Sequence, residues 1–161
     1  MQRFATMMLR GLATAGVPAE LIQPEPFLGR VGLAGPFVAK WLGYLDKFLF
    51  FPRRLRRKLA AGFDLVHICD HSNAMYCTQV GPRPAIVTCH DLLAVRGALG
   101  EETGCPASAT GKYLQRWIVS GLRQATAVAC ASSATLRDAE RVVGQRVGGP
   151  QFLVIPHGIN Y

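Results

Sequence analysis

Three short apolar runs in this chain each end on polar groups: DLVHICDH (Asp64 to His71), AIVTCHD (Ala85 to Asp91) and AVACASSAT (Ala127 to Thr135). His90 and Asp91 follow AIVTC directly. An imidazole that titrates near neutrality can donate to or accept from a hydroxyl or a phosphate, and an adjacent carboxylate can fix its tautomer or bind hydroxyls itself. Asp91 could equally cap the following turn, with His90 a satisfied polar group of the core. Asp70 and His71 hold the equivalent place after DLVHIC, and Ser72 and Asn73 extend the polar stretch. Helix capping by Asp70, Ser72 or Asn73 accounts for those residues as well, and capping and ligand binding can coexist.

His67, Cys69 and His71 alternate, so on a strand they share a side, which raises a metal site. Same-side neighbours on a strand stand about 6.6 Å apart, whereas zinc ligands converge to about 2.0–2.3 Å from one ion. A helix would bring the two histidines together, but the β-branched, apolar run before them reads as a strand, and no metal is expected.

Continuous Val/Ile/Ala/Cys runs are what strands of a parallel sheet look like, because both of their faces are buried, and ligands of such sheets bind just past the carboxyl ends. The elements between the runs fit that arrangement. Phe4, Met8 and Leu12 repeat at helical spacing and Gly16 suits a left-handed cap. VPAELIQP (Val17 to Pro24) reads as a strand leading into a loop with Pro24 and Pro26. A helical region from about Phe37 to Phe51 ends at Pro52, which opens a short basic helix stopping at Gly62.

A loop from Arg96 to Gly111 is rich in Gly, Glu, Thr, Pro and Ser. Leu114, Trp117, Ile118, Gly121 and Leu122 then mark a half-buried helix, and Ser132 caps another helix that buries Leu136, Ala139 and Val143. The last strand, FLVIP (Phe152 to Pro156), runs into His157 and Gly158. The alternation of strands and helices predicts an α/β fold with a doubly wound, mostly parallel sheet, since parallel neighbours need a crossover. A helix precedes the first strand here, so the usual first strand of such a sheet is expected to be missing from these residues.

At 161 residues, half of them apolar, the chain suits one domain with a full core. Its net charge of +8 is concentrated in Arg53, Arg54, Arg56, Arg57 and Lys58. These follow the apolar Trp41, Leu42, Tyr44, Leu45, Phe48 and Leu49, a combination that suits either a surface helix on an anionic bilayer or a core-facing helix followed by a solvated basic one. No nucleic-acid recognition motif accompanies the charge, so nucleic acid is not an expected partner. The stretch from Val31 to Phe51 is not read as a membrane span, because Lys40, Asp46 and Lys47 would each cost roughly 2.5–3.5 kcal/mol near mid-bilayer. No secretory signal pattern is found, and five cysteines without a CxxC pair suit a reducing, cytoplasmic setting.

Taken in order, FDLVHICDH, IVTCHDLLAVRGALG, AVACASSATLRDA and FLVIPHGIN resemble the N-terminal domain of glycosyltransferase family 4. Each motif is weak alone, and four in series are specific. The resemblance implies a Rossmann-like half of a two-domain fold of the glycogen-phosphorylase type. Residues 1–156 would hold the sugar or glycolipid acceptor, and 157–161 would begin the link to a donor domain outside these residues. It implies transfer from a nucleotide-diphosphate sugar with retention of anomeric configuration and without a metal ion or tightly bound cofactor. His90 matches the family's histidine that contacts the transferred sugar or its phosphate. Asp91 and Arg96 match the acceptor-side loop, and Asp70 and His71 fall on the same rim. Ser132 and Thr135 match the family's Ser-x-x-Thr helix start, already explained by capping. His157 stands where the family's Pro-Asn-Gly link has Asn.

These 161 residues alone are therefore expected not to transfer sugar. The alternative from another class is a non-catalytic α/β ligand-binding module, or a membrane-surface domain led by the Arg53 to Lys58 cluster.

Overall fold

The computed structural model describes residues 2–24 and 36–156, and the chain forms two compact units, Met1–Phe63 and Asp64–Tyr161. Pro26 and the His157-Gly158 link lie outside the described residues.

The first unit is helical. Helix α1 spans Gln2–Thr14, and Gly16 follows it at φ 72°, the left-handed conformation that glycine adopts without a Cβ penalty. The strand expected over Val17 to Pro24 is not formed. A strand needs a ladder partner, Pro18 and Pro24 have no N–H to give one, and the segment is largely exposed, with Glu20 paired to Lys58 at 2.7 Å.

Helix α2 spans Pro36–Leu45 and α3 spans Phe51–Leu59, and Pro52 does not open a gap between them. Asp46–Phe50 forms a π turn instead, in which the Phe51 N–H donates to the Asp46 carbonyl five residues back. The wider ladder places the proline, with no N–H of its own, at the change of register, where its cost is small.

The second unit is a Rossmann-like α/β layer. Its strands are β1 (Val66–Ile68), β2 (Ala85–Cys89), β3 (Ala127–Cys130) and β4 (Gln151–Val154), in the order β1-β2-β3-β4 and parallel throughout. The registers pair Ile68 with Val87, Cys89 with Cys130 and Cys130 with Val154, so all the strand ends point the same way. All four residues of β3 are buried, as expected for a strand covered on both faces.

A 3₁₀ helix (His71–Gln79) connects β1 to β2. Helices α4 (Leu93–Ala98) and α5 (Ala109–Leu122) lead to β3, and α6 (Ser133–Val143) leads to β4. The loop between α4 and α5 is thus shorter than the sequence suggests, Leu99 to Ser108, because Leu92 and Val95 are apolar enough to bury and begin a helix before it.

The core of this unit is aliphatic. Val87, Cys89, Val128, Cys130, Leu122 and Ala139 are fully buried, with Met75, Val80, Leu92, Val95 and Val143 nearly so. Helix α5 packs on the 3₁₀ helix so closely that a Cβ at Gly121 would run into the Ala74 carbonyl. Burial pushes the thiols of Cys69, Cys77, Cys89 and Cys130 up, that of Cys77 to about 12 and that of Cys130 to about 11, so they act as small hydrophobes. Cys105 is the exposed one.

Candidate functional site

The carboxyl ends of β1 and β2 are neighbours, and each run continues past its strand into polar residues. Asp70 ends the first run in extended conformation and its Oδ1 accepts from the Ser72 N–H at 2.6 Å, so the capping role read from sequence is present. Its carboxylate is 3% exposed, and Oδ2 has no hydrogen-bond partner among the described residues. His71 begins the 3₁₀ helix, also buried, and its Nδ1 likewise has no partner. The two groups stand 3.9 Å apart between Nδ1 and Oδ1, too far for a hydrogen bond.

Burial holds the His71 imidazole below its ordinary value of 6.5. Asp70 and Asp91 pull it upward and His90 pushes it down, so these three side chains lie within electrostatic reach of His71. A buried carboxylate oxygen and a buried ring nitrogen that both lack partners among the described residues are uncommon in folded proteins, and each such atom costs about 1–3 kcal/mol.

His90 and Asp91 take up the end of β2. His90 is partly buried, and its Nε2 lies 3.1 Å from the Cys69 carbonyl. A carbonyl only accepts, so Nε2 carries a proton and donates to it. The His90 carbonyl accepts from the Thr135 hydroxyl at 3.2 Å, which ties the end of β2 to the first turn of α6. Ser132 caps that helix, accepting from the Thr135 N–H at 3.1 Å. Asp91 is exposed, and its Oδ1 accepts from the Leu93 N–H at 3.1 Å at the start of α4. The capping role is real here too, and it fixes the carboxylate at the rim.

Arg96 is committed to other charges. Its Nε bonds Glu101 at 2.7 Å and its Nη1 bonds Asp138 at 2.9 Å, while Arg141 holds the same two carboxylates at 2.6 and 3.2 Å. The network fastens the loop after α4 to α6. Glu101 is held below the usual carboxylate range by hydrogen bonds from Arg141 and then Arg96. Gly97 lies against the Cys105 carbonyl of the same loop, where no side chain fits. Sequence reasoning misses these partners: Arg141 and Asp138 share a helix turn that spacing reveals, but Arg96 and Asp138 are 42 residues apart.

The possible metal trio is dispersed. The His67 Nε2 meets the Thr88 hydroxyl at 2.7 Å on the sheet, and His71 has left the strand. Among the described residues no group of three or more His, Cys, Asp or Glu side chains is placed to hold a metal ion. A shallow groove lined by Val95, Leu99, Gln115, Val119 and Val142 includes none of the polar residues at the strand ends. Among the described residues no helix is long and apolar enough to cross a membrane.

Polar side chains thus gather at the carboxyl edge of a parallel sheet, the place where such sheets hold ligands, with Asp91 exposed, His90 part-buried, and Asp70 and His71 buried. Comparison with curated proteins found no match. The model of Glycosyltransferase Family 4 matches residues 1–161, and the chain belongs to that family and is a glycosyltransferase domain.

Proposed function

We propose that this chain is the acceptor-side half of a retaining, nucleotide-sugar-dependent glycosyltransferase of the hexosyltransferase type. The donor would be a nucleotide-diphosphate sugar held mainly by a second Rossmann-like domain, and the acceptor a sugar or glycolipid lying along the β1 and β2 ends. The observation that supports this most is the placement of the part-buried His90 and the exposed Asp91 at the carboxyl end of β2, next to the buried Asp70 and His71, of which Asp70 Oδ2 and His71 Nδ1 have no partner among the described residues. A hydroxyl both donates and accepts, so a polyhydroxylated ligand suits the exposed Asp91 carboxylate and the part-buried His90 imidazole.

In this reading His90 contacts the transferred sugar or its phosphate from a position fixed by Cys69 and Thr135, and Asp70, His71 and Asp91 hold hydroxyls. Arg96 acts as a positioning residue for the Leu99 to Ser108 loop. Rate acceleration comes from orientation and from stabilising the departing nucleotide diphosphate between two domains, without a metal ion or a bound cofactor. The 161 residues alone would not transfer sugar, and the setting is cytoplasmic.

The test is a donor screen on the polypeptide that also carries the donor domain, followed by His90→Ala with the donor it selects. Loss of about 10²-fold or more in turnover supports the assignment. A normal rate would reduce His90 to packing, and ligand binding without any transfer would favour a non-catalytic module.

A further inference from the structure

The helical run from Pro36 to Leu59 carries an apolar stripe that faces solvent. Trp41, Tyr44, Leu45 and Leu49 follow i, i+3, i+4, i+8 spacing, which in a globular helix marks the face that packs inward. Here Trp41 is 57% exposed, Leu45 44% and Leu49 42%. The aromatic rings are ordered on one another: Trp41 meets Tyr44 edge-on at 5.9 Å between centroids, and Tyr44 stacks on Phe48 at 5.8 Å.

The stripe runs into the basic cluster. The Arg53 Nη1 folds back onto the Leu49 carbonyl at 2.9 Å, and Arg53, Arg54, Arg56 and Arg57 are exposed, while Phe51, Leu55 and Leu59 take the buried side of α3. From Lys47 to Phe63 the chain has six basic residues and no acidic one.

We infer that this helical run docks on an anionic lipid bilayer surface, with Trp41, Tyr44, Leu45 and Leu49 entering the headgroup region and the four arginines meeting lipid phosphates. Tryptophan and tyrosine favour that depth because one end of each ring is apolar and the other polar, and arginine stems lie along apolar surface with their charge at the phosphate. Two copies of the cluster would repel each other, which disfavours a second chain as the occupant. A nucleic acid would neutralise the arginines and leave the aliphatic part of the stripe in water. A bilayer satisfies both halves of the surface at once.

The test is sedimentation of the full 161-residue chain with vesicles of phosphatidylcholine alone and with about one quarter phosphatidylglycerol, across a salt series. The expected result is binding to the anionic vesicles that falls as salt rises. Each neutralised arginine should weaken it about fivefold, so the variant with Arg53, Arg54, Arg56 and Arg57 all replaced by Gln should lose on the order of 10²–10³-fold. Trp41→Ser with Leu45→Ser, both at exposed positions, should weaken binding by about tenfold or more with the charge intact.

Equal binding to neutral vesicles, salt-independent binding, or variants that bind as the parent does would overturn the inference. So would retention of a single-stranded RNA, or self-association, by a chain that ignores vesicles. The salt series on the unsubstituted chain decides the matter even if a variant fails to fold. Because the readout is partition and not transfer, its failure leaves the glycosyltransferase reading standing, and the reverse holds.

Discussion

The Thr135 hydroxyl donates to the His90 carbonyl at 3.2 Å, joining the end of β2 to the start of α6 across 45 residues of sequence. The same hydroxyl lies 3.0 Å from the Ser132 hydroxyl, so the helix cap and the anchor of His90 share one side chain. Thr135→Val keeps the shape and removes the donor, leaving the Ser132 cap on the backbone N–H in place. The expected cost is about 1 kcal/mol in stability. If His90 contacts the transferring group as proposed, kcat of the proposed two-domain enzyme should fall about tenfold with KM little changed. Thr135→Ser should restore the rate, and a Thr135→Val enzyme as fast as the parent would show that the tie does not position His90.

Gly121 is the point of closest approach between α5 and the 3₁₀ helix. A methyl group there meets the Ala74 carbonyl and the Met75 N–H, both backbone atoms that cannot swing aside. Gly121→Ala ordinarily favours a helix, by about 1 kcal/mol. Here the clash should win, with net destabilisation of about 1–3 kcal/mol in urea unfolding. An unchanged or raised midpoint would mean that the two helices separate at no cost.

Two acid-side losses of stability follow from the shifted groups. His71 is held below 6.5 in the folded chain, chiefly by burial, so as pH falls the unfolded chain takes up the proton first. Stability is therefore complete above about 6.5 and declines below it, through the folded value, by up to about 1.4 kcal/mol per pH unit. His67, also lowered by burial, adds to the decline in the same sense. Unfolding midpoints measured between pH of about 7.5 and 5.5 should fall with pH, and His71→Asn should flatten the slope. Glu101 acts lower: its ionised form is favoured by Arg141 and Arg96, so its ion pairs are present above its ordinary 4.5 and are lost as pH drops through the depressed value. Proteolytic cutting within Leu99 to Ser108 should rise in that range, and a pH-independent rate of cutting would count against the network as the loop's fastening.

Much of the second unit can be read from the sequence because its signals are local and redundant. The continuous apolar runs name β1 to β4, the 3.6-residue pattern from Leu114 to Leu122 names α5, and Ser132 announces α6. The polar residues past β1 and β2 could be placed at the rim for the same reason, since a parallel strand fixes which end its followers occupy. What stays hidden is what depends on distant partners or on backbone register. Val17 to Pro24 has strand-like composition, yet Pro18 and Pro24 withhold ladder donors and no strand forms there. The π turn absorbs Pro52 by shifting one hydrogen bond, which no composition reveals. The carboxylates that engage Arg96, the hydroxyl that holds His90 and the orphaned atoms of Asp70 and His71 arise only once separate segments are packed together.

The strand order β1-β2-β3-β4 also bears on how the molecule is made. Among the described residues each strand lies beside the one synthesised just before it, so this layer can grow by accretion at one edge as the polypeptide leaves the ribosome. The strand ends that carry Asp70 and His90 are thus brought together in the order in which their codons are translated.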